Sequence, residues 1–492
     1  MNEEKSNQSS VVLEQESKNG QQEETIEYEF SEDEIKQIES MLKNPHLLFD
    51  ITKELDKTVV GEQKTKTLLF LLMLSKDLPD PQSAVLLNKA STGKSYVCKE
   101  VLKFFDDEDK MQFARMTERF LENMGGDLSE KILFVEEYNG LSEEFLRIIL
   151  SEGEGNLGTL DENRKAKKIR TEGKPCLISC LAGNNVQIGE QMKTRIWLLS
   201  VDDSPTQTEK ILEYLDRKAK TVDYGFGEKE RNIFSRLTKY LNIEGVKDVL
   251  VPFASAKRFG FPPNDVRARR DYQKFLAIIK VSAYLHQLNR PIVDDAENKK
   301  HVVASLYDYE IARILTQEHL QATLLGMSKE VINLYNRIKE WDRQFFIQDI
   351  CNEIKVKRSR ASVLMKQLVD NNVVEREKEG KKNIYRNIDG NLSNVSLKVT
   401  DSLDSEFLEE TSHRMILDNF LLVSDYSLFG KSNELVPELI EKAKVLWAHP
   451  VEDRHLENTG ENVQLKSKND DLLPQAHEKH EDPYKNAVNV NQ

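Results

Sequence analysis

This chain of 492 residues has few cysteines, no long apolar run and no excess of basic charge. Its four cysteines include no C-x-x-C pair, which argues against a small zinc site, and the thiols at 176 and 180 are expected to be buried. The longest apolar run, residues 68–74, is far too short to span a bilayer. No signal peptide is recognisable, so we expect a cytoplasmic protein without membrane contact. The net charge of −14 excludes a uniformly basic surface, and any contact with nucleic acid must come from local basic patches.

The sequence NKASTGKS over residues 88–95 follows a short apolar run and precedes an amphipathic stretch. This pattern is typical of a phosphate-binding loop between a buried strand and a helix. In such a loop Gly93 lets the backbone approach a phosphate, Lys94 bridges the terminal phosphates and the Ser95 hydroxyl binds Mg²⁺. Asn88 stands where the pattern has its first Gly, and Asn is the residue after Gly that best tolerates a left-handed backbone. An ordinary surface turn is the alternative for such a degenerate match. The further predicted nucleotide contacts are Ser91, Thr92 and Tyr96.

A second apolar run, residues 132–135, ends in two carboxylates, Glu136 and Glu137. Phosphoryl transfer needs one acid to hold hydrated Mg²⁺ and another to orient the attacking water, and we assign these roles to Glu136 and Glu137 respectively. The first acid is usually Asp, so Glu136 is a second departure from the standard pattern. A strand end capped by solvated carboxylates is the simpler alternative. The phosphate-loop pattern upstream favours the catalytic interpretation, with ATP and Mg²⁺ as cofactors.

The polarity pattern divides the chain into segments of different character. Residues 1–27 and 451–492 are polar and poor in large apolar groups, which predicts disordered tails. The chain between them is expected to be of the α/β class. Its predicted segments are an N-terminal helical segment over 28–82, an α/β nucleotide-binding core over 83–205, a helical lid over 206–327, a winged helix-turn-helix over 328–388 and a helical extension over 389–450. The predicted core strands cover residues 84–87, 111–115, 132–136, 176–181 and 196–200.

The order of these motifs resembles that of AAA+ ATPases, and most of all the MCM-like replicative helicases, including versions on mobile elements and viruses. The resemblance covers about residues 50–388. It implies that Asn184, after the fourth core strand, is the polar sensor of the γ-phosphate. It also implies that Arg195 is an arginine finger acting on the ATP of a neighbouring copy, and that Arg267 is the lid-helix sensor. The alternatives are a surface arginine in a turn for Arg195 and a solvated helix face for Arg267.

Two basic stretches are candidates for DNA contact. Residues 158–173 predict a hairpin with a basic tip, which in the family projects into the channel of a ring. Its side chains that could neutralise phosphates without reading sequence are Arg164, Lys165, Lys167 and Lys168. Within 328–388, a basic third helix with Ser359 at its N-cap precedes two alternating strands, the order of a winged helix-turn-helix. Its predicted DNA contacts are Lys357, Arg358, Arg360, Lys381 and Lys382. A solvated hairpin and a winged helix that binds protein are the alternatives.

These features predict an ATP-dependent DNA helicase or translocase that acts in replication. The resemblance implies a homo-hexameric ring, with DNA and replication proteins as partners. An alternative is a replication initiator or DNA-binding regulator, in which ATP switches assembly without unwinding. A third hypothesis is a scaffold whose nucleotide site has decayed, because Asn88 and Glu136 both depart from the usual residues.

Overall fold

The computed structural model describes residues 30–447 except 161–165, 183–187, 221–225, 264, 325–328, 340, 371–372, 380–381, 389–396, 399–402, 420, 423 and 425–426. Several predicted features lie outside the described residues. They are both tails, the sensor candidate Asn184, the hairpin residues Arg164 and Lys165, and Lys381 of the predicted wing, together with the side chain of Lys382.

Helices α1 (Glu32–Leu42), α2 (Leu47–Asp56) and α3 (Gln63–Leu74) open the described chain. A capping box starts α1: the backbone N–H of Glu34 donates to Ser31 Oγ at 3.3 Å, and the Ser31 N–H donates to the Glu34 carboxylate at 2.9 Å. Residues 65–74 of α3 are all buried, so this helix is enclosed on every side. Short 3₁₀ helices cover Ser75–Asp77, Asp107–Asp109 and Gln287–Asn289.

A five-stranded parallel sheet follows, and it contains the five strands that the sequence predicts. The elements of this region are β1 (Ser83–Asn88), α4 (Lys94–Leu102), β2 (Lys110–Phe113), α5 (Phe120–Met124), β3 (Gly126–Asp127), β4 (Ile132–Val135), α6 (Glu143–Glu152), β5 (Glu154–Leu160), β6 (Ala166–Glu172), β7 (Cys176–Ala182), α7 (Glu190–Lys193) and β8 (Ile196–Leu199). The sheet order is β2-β4-β7-β1-β8. Alternate residues of β1 face opposite layers: Ala84 and Leu86 join one hydrophobic cluster and Val85 the other. Both faces of the sheet are therefore covered, as parallel sheets require.

Strands β5 and β6 form an antiparallel hairpin inserted between α6 and β7. The short strand β3 pairs with β6 at its open edge, which gives a three-stranded sheet of order β3-β6-β5. Residues 117–130 hold only α5 and β3, and no second hairpin is inserted there.

The region predicted as a helical lid contains helices and short strands. They are α8 (Pro205–Lys220), α9 (Phe226–Glu244), β9 (Val249–Leu250), α10 (Ala256–Phe259), α11 (Ala268–Leu285), β10 (Ile292–Asp294), β11 (Lys300–Val303) and α12 (Leu306–Leu324). The structure adds three short strands to the helices of this segment, which the sequence did not predict because strands of two to four residues carry no alternating pattern.

A module with its own hydrophobic cluster follows α12. Its elements are α13 (Lys329–Ile338), β12 (Phe345–Phe346), α14 (Ile347–Glu353), α15 (Arg358–Asp370), β13 (Val374–Glu379) and β14 (Lys382–Asn387). The strands pair antiparallel in the order β12-β14-β13. Because α15 begins at Arg358, Ser359 lies inside the first turn and not at the predicted N-cap.

The C-terminal elements are α16 (Ser405–Asn419), β15 (Leu421–Leu422), α17 (Ser427–Glu434) and α18 (Val436–Leu446). Strand β15 pairs with β10 and completes a second sheet of order β15-β10-β11-β9. Trp447 stacks on Phe49 of α2 with ring centroids 4.5 Å apart. This extension therefore closes the fold against its first helices. Among the described helices, none combines the length and apolarity needed to cross a membrane.

Candidate functional site

The predicted phosphate-binding loop connects β1 to α4, with Gly93 immediately before the helix. Gly93 has φ +85° and Ser91 has φ +63°, so these two residues make the left-handed turn. Asn88 is instead the last extended residue of β1 and does not adopt the left-handed backbone considered for it. Its side-chain amide donates to the Val201 carbonyl at 2.7 Å, and its Oδ1 accepts the Lys89 N–H at 2.8 Å. The Asn88 side chain therefore anchors the loop to the chain after β8. Because the Asn88 backbone is extended, this position does not need the Gly of the usual pattern.

Lys94 lies in the first turn of α4, and its ammonium group points back into the loop. Nζ donates to the carbonyl of Asn88 at 3.0 Å, to Thr92 Oγ1 at 3.2 Å and to the carbonyl of Lys89. Burial lowers the pKa of this ammonium group. The loop thus holds a cation, in contact with three of its own oxygens, beside the N-terminus of α4. A cation and a helix N-terminus together attract an anionic phosphate.

The other predicted loop contacts surround this cation. Thr92 Oγ1 donates to the Lys89 carbonyl at 3.0 Å, Ser95 is half-buried on the first turn of α4, and Ser91 is exposed. Tyr96 is exposed as well, and its hydroxyl donates to the Thr58 carbonyl at 3.1 Å, so its ring lies on the rim of the loop.

The acid pair, Glu136 and Glu137, directly follows β4, and its backbone N–H groups continue the pairing of β4 with β2. The N–H of Glu136 donates to the Phe113 carbonyl at 3.0 Å, and the N–H of Glu137 donates to the Ala114 carbonyl at 3.2 Å. Glu136 is half-buried and makes an ion pair with Lys99 of α4, whereas Glu137 is exposed. Sequence reasoning missed Lys99, although its position one turn after Ser95 could have indicated that it shares the helix face.

Strand β7 ends at the same edge of the sheet. Its Ala182 lies opposite Asn88 of β1, and its Ser179 lies opposite Val135 of β4. Because parallel strands end at a common edge, the end of β7 lies between the loop and the acid pair. Asn184 itself lies outside the described residues.

Arg195 lies directly before β8, and other groups of the chain hold its guanidinium group. Nε donates to Ser151 Oγ at 2.7 Å, and Nη1 donates to the Gln191 carbonyl at 2.7 Å. Arg147 of α6 donates to the side chain of the same Gln191. Burial lowers the pKa of Arg195, and the nearby positive charges of Arg270 and Arg147 lower it further. Sequence reasoning missed Arg147 and Arg270, because only tertiary packing brings them to Arg195.

Arg267 immediately precedes α11 and is directed toward its own helix. Its Nε lies 3.5 Å from the carboxylate of Asp271, which is fully buried and also pairs with Lys274 at 2.8 Å. The Lys274 ammonium group lies 4.9 Å from the centre of the Trp197 ring. Arg267 thus belongs to a buried charge cluster between α11 and β8, while Arg270 is exposed.

The predicted DNA-contacting residues lie on two surfaces. On the β5–β6 hairpin, Lys167 and Lys168 are exposed. The nearby Arg170 is paired with Glu172 at 2.8 Å and Glu154 at 3.3 Å, so part of the hairpin's charge is already neutralised. In the module after α12, Lys357 precedes α15, and Arg358, Arg360 and Lys366 are exposed along that helix. Arg164, Lys165 and Lys381 lie outside the described residues.

The described residues contain no group of three or more His, Cys, Asp or Glu side chains close enough to hold a metal ion. Ser95 and Glu136 offer two oxygen ligands for Mg²⁺. Water and the nucleotide would have to supply the other ligands, as is usual in phosphate sites. A magnesium ion at this edge of the sheet would therefore depend on bound nucleotide.

Part of the chain matches a known family. Residues 29–230 match the family model described as MTBMA_p00010 P-loop domain. The matched range contains α1 to α8 and β1 to β8, and so the whole central sheet and its loop. A P-loop domain is therefore indicated for this part of the chain, and nucleotide binding with it. No curated protein matches the chain.

Proposed function

We propose that this chain is an ATP-driven motor of the AAA+ type, a DNA helicase or translocase acting in replication. The observation that carries the proposal is the shared edge of the central sheet. There the loop cation Lys94 and the hydroxyl of Ser95 lie beside the strand ends that bear Glu136 and Glu137. Phosphoryl transfer needs these groups together. Strand β7 lies between β1 and β4, which supports a sensor on the segment that follows it.

In the proposed site, the chain's own contacts are exchanged for contacts with ATP and Mg²⁺. Lys94 leaves the loop carbonyls of Asn88 and Lys89 for the terminal phosphates. Ser95 and Glu136 would hold the hydrated magnesium, which would supply positive charge to neutralise the phosphates. Glu136 must first give up its ion pair with Lys99. Glu137, which is exposed, orients the attacking water.

A neighbouring copy of the chain would complete the site with Arg195. The guanidinium group is fixed by Ser151 and Gln191, and among the described residues it makes no ion pair. A fixed, unpaired guanidinium suits a finger that stabilises charge on the transferred phosphoryl group. Arg267 was the expected lid sensor, but its contact with Asp271 makes the exposed Arg270 the better candidate. This arrangement supports a ring, for which a homo-hexamer is the expected size.

DNA would be held at two places. Lys167 and Lys168 project from the β5–β6 hairpin, which is attached to the core through α6 and β7, so hydrolysis could move them along a phosphate backbone. The module from α13 to β14 has the element order of a winged helix-turn-helix, with β12 as its first strand. Its helix α15 presents Arg358, Arg360 and Lys366 on the exposed side, as a groove-binding helix needs.

The test is ATP turnover by the full chain, with and without single-stranded DNA, for wild type and Glu137→Gln. Loss of the water-orienting carboxylate should reduce turnover by about 100-fold or more, while nucleotide binding is retained. Glu144→Gln, an exposed glutamate in the first turn of α6, is the matched control and should leave turnover unchanged.

Unwinding of a forked duplex then separates a motor from a switch. DNA-stimulated turnover with strand displacement supports the motor. Turnover without displacement would favour the initiator or regulator, in which ATP controls assembly. Nucleotide binding without any turnover would contradict the proposed function.

A further inference from the structure

Two buried thiols lie directly beneath the phosphate-binding loop. Cys98 is on α4, one turn after Lys94, and Cys180 is on β7, opposite Leu86 of β1. Their sulfur atoms are 3.9 Å apart. The Ser95 side chain, the proposed magnesium ligand, lies beside the Cys180 sulfur. The pair therefore joins the helix that carries Lys94 to the strand that leads to the sensor segment.

The other two cysteines are placed differently. Cys176 begins β7, and its thiol contacts the carbonyls of Gln82 at 3.1 Å and Leu72 at 3.3 Å. Cys351 lies in the separate hydrophobic cluster of the module after α12. Neither has a sulfur partner, although both are buried like the pair. The chain thus has one close thiol pair and two matched single thiols for comparison.

A disulfide between Cys98 and Cys180 needs only a modest change. The sulfur atoms must approach by about 2 Å from their present 3.9 Å to reach bonding distance. Rotation about the Cα–Cβ bonds supplies part of this approach, and a small shift of α4 toward β7 supplies the rest. Cys180 is 4% exposed and Cys98 is 0% exposed, so an oxidant entering from the loop side meets the Cys180 sulfur first.

We propose that Cys98 and Cys180 form an oxidation site, at which a small disulfide such as oxidised glutathione converts the two thiols to an intramolecular disulfide. The Cys180 sulfur attacks the S–S bond of the oxidant, forms a mixed disulfide and releases one small thiol. The Cys98 sulfur then attacks the Cys180 sulfur, closes the protein disulfide and releases the second small thiol. The two protons and two electrons of the protein thiols leave on the small thiols, so the step balances.

The bond would act on the nucleotide site. It draws the first turn of α4 toward β7 and removes the Cys180 contact of Ser95, so Lys94 and Ser95 no longer hold their positions. We expect the oxidised chain to bind nucleotide about 100-fold more weakly, because the charge-assisted hydrogen bonds from Lys94 to phosphate are lost. This consequence rests on the proposed function, whereas the bond itself does not.

The first experiment detects the bond without using activity. The folded full chain is incubated with oxidised glutathione or with dithiothreitol, and intact mass and peptide mapping follow. Wild type, Cys176→Ser and Cys351→Ser should each lose the mass of two hydrogen atoms and yield a Cys98–Cys180 linked peptide. Cys98→Ser should instead retain glutathione on Cys180, and Cys180→Ser should give neither product. A link that forms only after unfolding in urea, or no link at all, would overturn the proposal.

The second experiment measures binding of a fluorescent ATP analogue to the reduced and oxidised chain. Oxidation should weaken binding by wild type and by Cys176→Ser, and dithiothreitol should restore it. Cys180→Ser, which forms neither product, should bind equally well under both conditions. If the linked protein binds as tightly as the reduced protein, the effect on the site is refuted. If the reduced protein binds no nucleotide, the proposed function fails, while the mass measurement still decides the oxidation site.

Discussion

The loop side and the arginine side of the proposed nucleotide site differ in how their charges are neutralised. On the loop side, the Lys94 ammonium is surrounded by oxygens of its own loop and Glu136 is paired with Lys99. On the other side, Arg147, Arg195 and Arg270 lie near one another. None of these three makes an ion pair within the described part of the chain.

This difference in neutralisation indicates which side is stable without a bound ligand. A cation held by carbonyl and hydroxyl oxygens is stable without ligand and exchanges those contacts for phosphate when a nucleotide arrives. Glu152 offsets part of the positive charge at Arg195, and the guanidinium groups otherwise repel each other and attract an anion. On the proposed function, the loop side therefore binds nucleotide by itself, and the arginine side would act on the phosphates bound by another copy.

The largest effect is expected from Arg195→Ala. The loop side stays intact, so ATP should bind as in wild type, while turnover falls by about 10³-fold or more because a finger acts only on the transition state. Turnover and binding of labelled ATP are measured on the same preparation. Arg269→Ala, an exposed arginine on α11, is the control and should have no effect.

Mixing variants tests whether the two sides come from different copies. Arg195→Ala chains supply an intact loop and Lys94→Ala chains supply an intact arginine side, so mixed assemblies should regain part of the turnover that either variant lacks. If mixtures stay inactive while each variant still assembles, Arg195 does not act across an interface.

Lys94→Ala should weaken the binding of nucleotide to the loop side. The ammonium group makes charge-assisted hydrogen bonds to phosphate worth about 3 kcal/mol, so the affinity for ATP should fall by about 100-fold. Equilibrium binding measures this, and a melting curve shows that the loop still folds. Lys103→Ala, at the end of α4, is the control, since its ammonium group pairs with Glu100. Equal losses in both variants would contradict the role of Lys94.

The sequence predicts the loop side well because its signals are local. A buried parallel strand is a continuous apolar run, and the loop and the acid pair follow such runs directly. The five core strands, the hairpin β5–β6 and the order of the module after α12 could all be predicted on that basis. The short strands β9 to β12 and β15 could not, since two to four residues show no periodicity.

The arginine side and the thiol pair depend on tertiary packing. Arg147 and Gln191 are 44 positions apart, and Cys98 and Cys180 are 82 positions apart. Nothing in the local pattern of α6 or α4 indicates these partners. The same holds for Arg267, whose motif suggested a sensor but whose guanidinium is directed toward the buried Asp271. A motif locates a candidate residue, but packing decides where its side chain points.

Arg147→Ala sharpens the comparison on the arginine side. Arg147 is held by Gln191 and by the Glu143 carbonyl at 3.3 Å, and the same Gln191 fixes Arg195. Loss of the Arg147 side chain should misplace Arg195 and lower turnover by about tenfold. This effect is smaller than that of Arg195→Ala, because Arg195 is displaced and not removed. Nucleotide affinity should not change, and Arg147→Lys should recover part of the loss. A fall in turnover that only parallels a fall in melting temperature would indicate a structural role.

The smallest effect is expected on the loop side, from Lys99→Gln. Lys99 neutralises Glu136 and is about half exposed, so its ion pair is worth up to about 1 kcal/mol. Removing it frees the carboxylate for Mg²⁺, and the magnesium concentration for half-maximal turnover should fall by up to about fivefold. The same titration on Lys103→Gln, whose partner is Glu100, should match wild type. An unchanged magnesium requirement in Lys99→Gln would mean that the Lys99 ion pair does not compete with magnesium for Glu136, and that the charge balance of the loop side does not control metal binding.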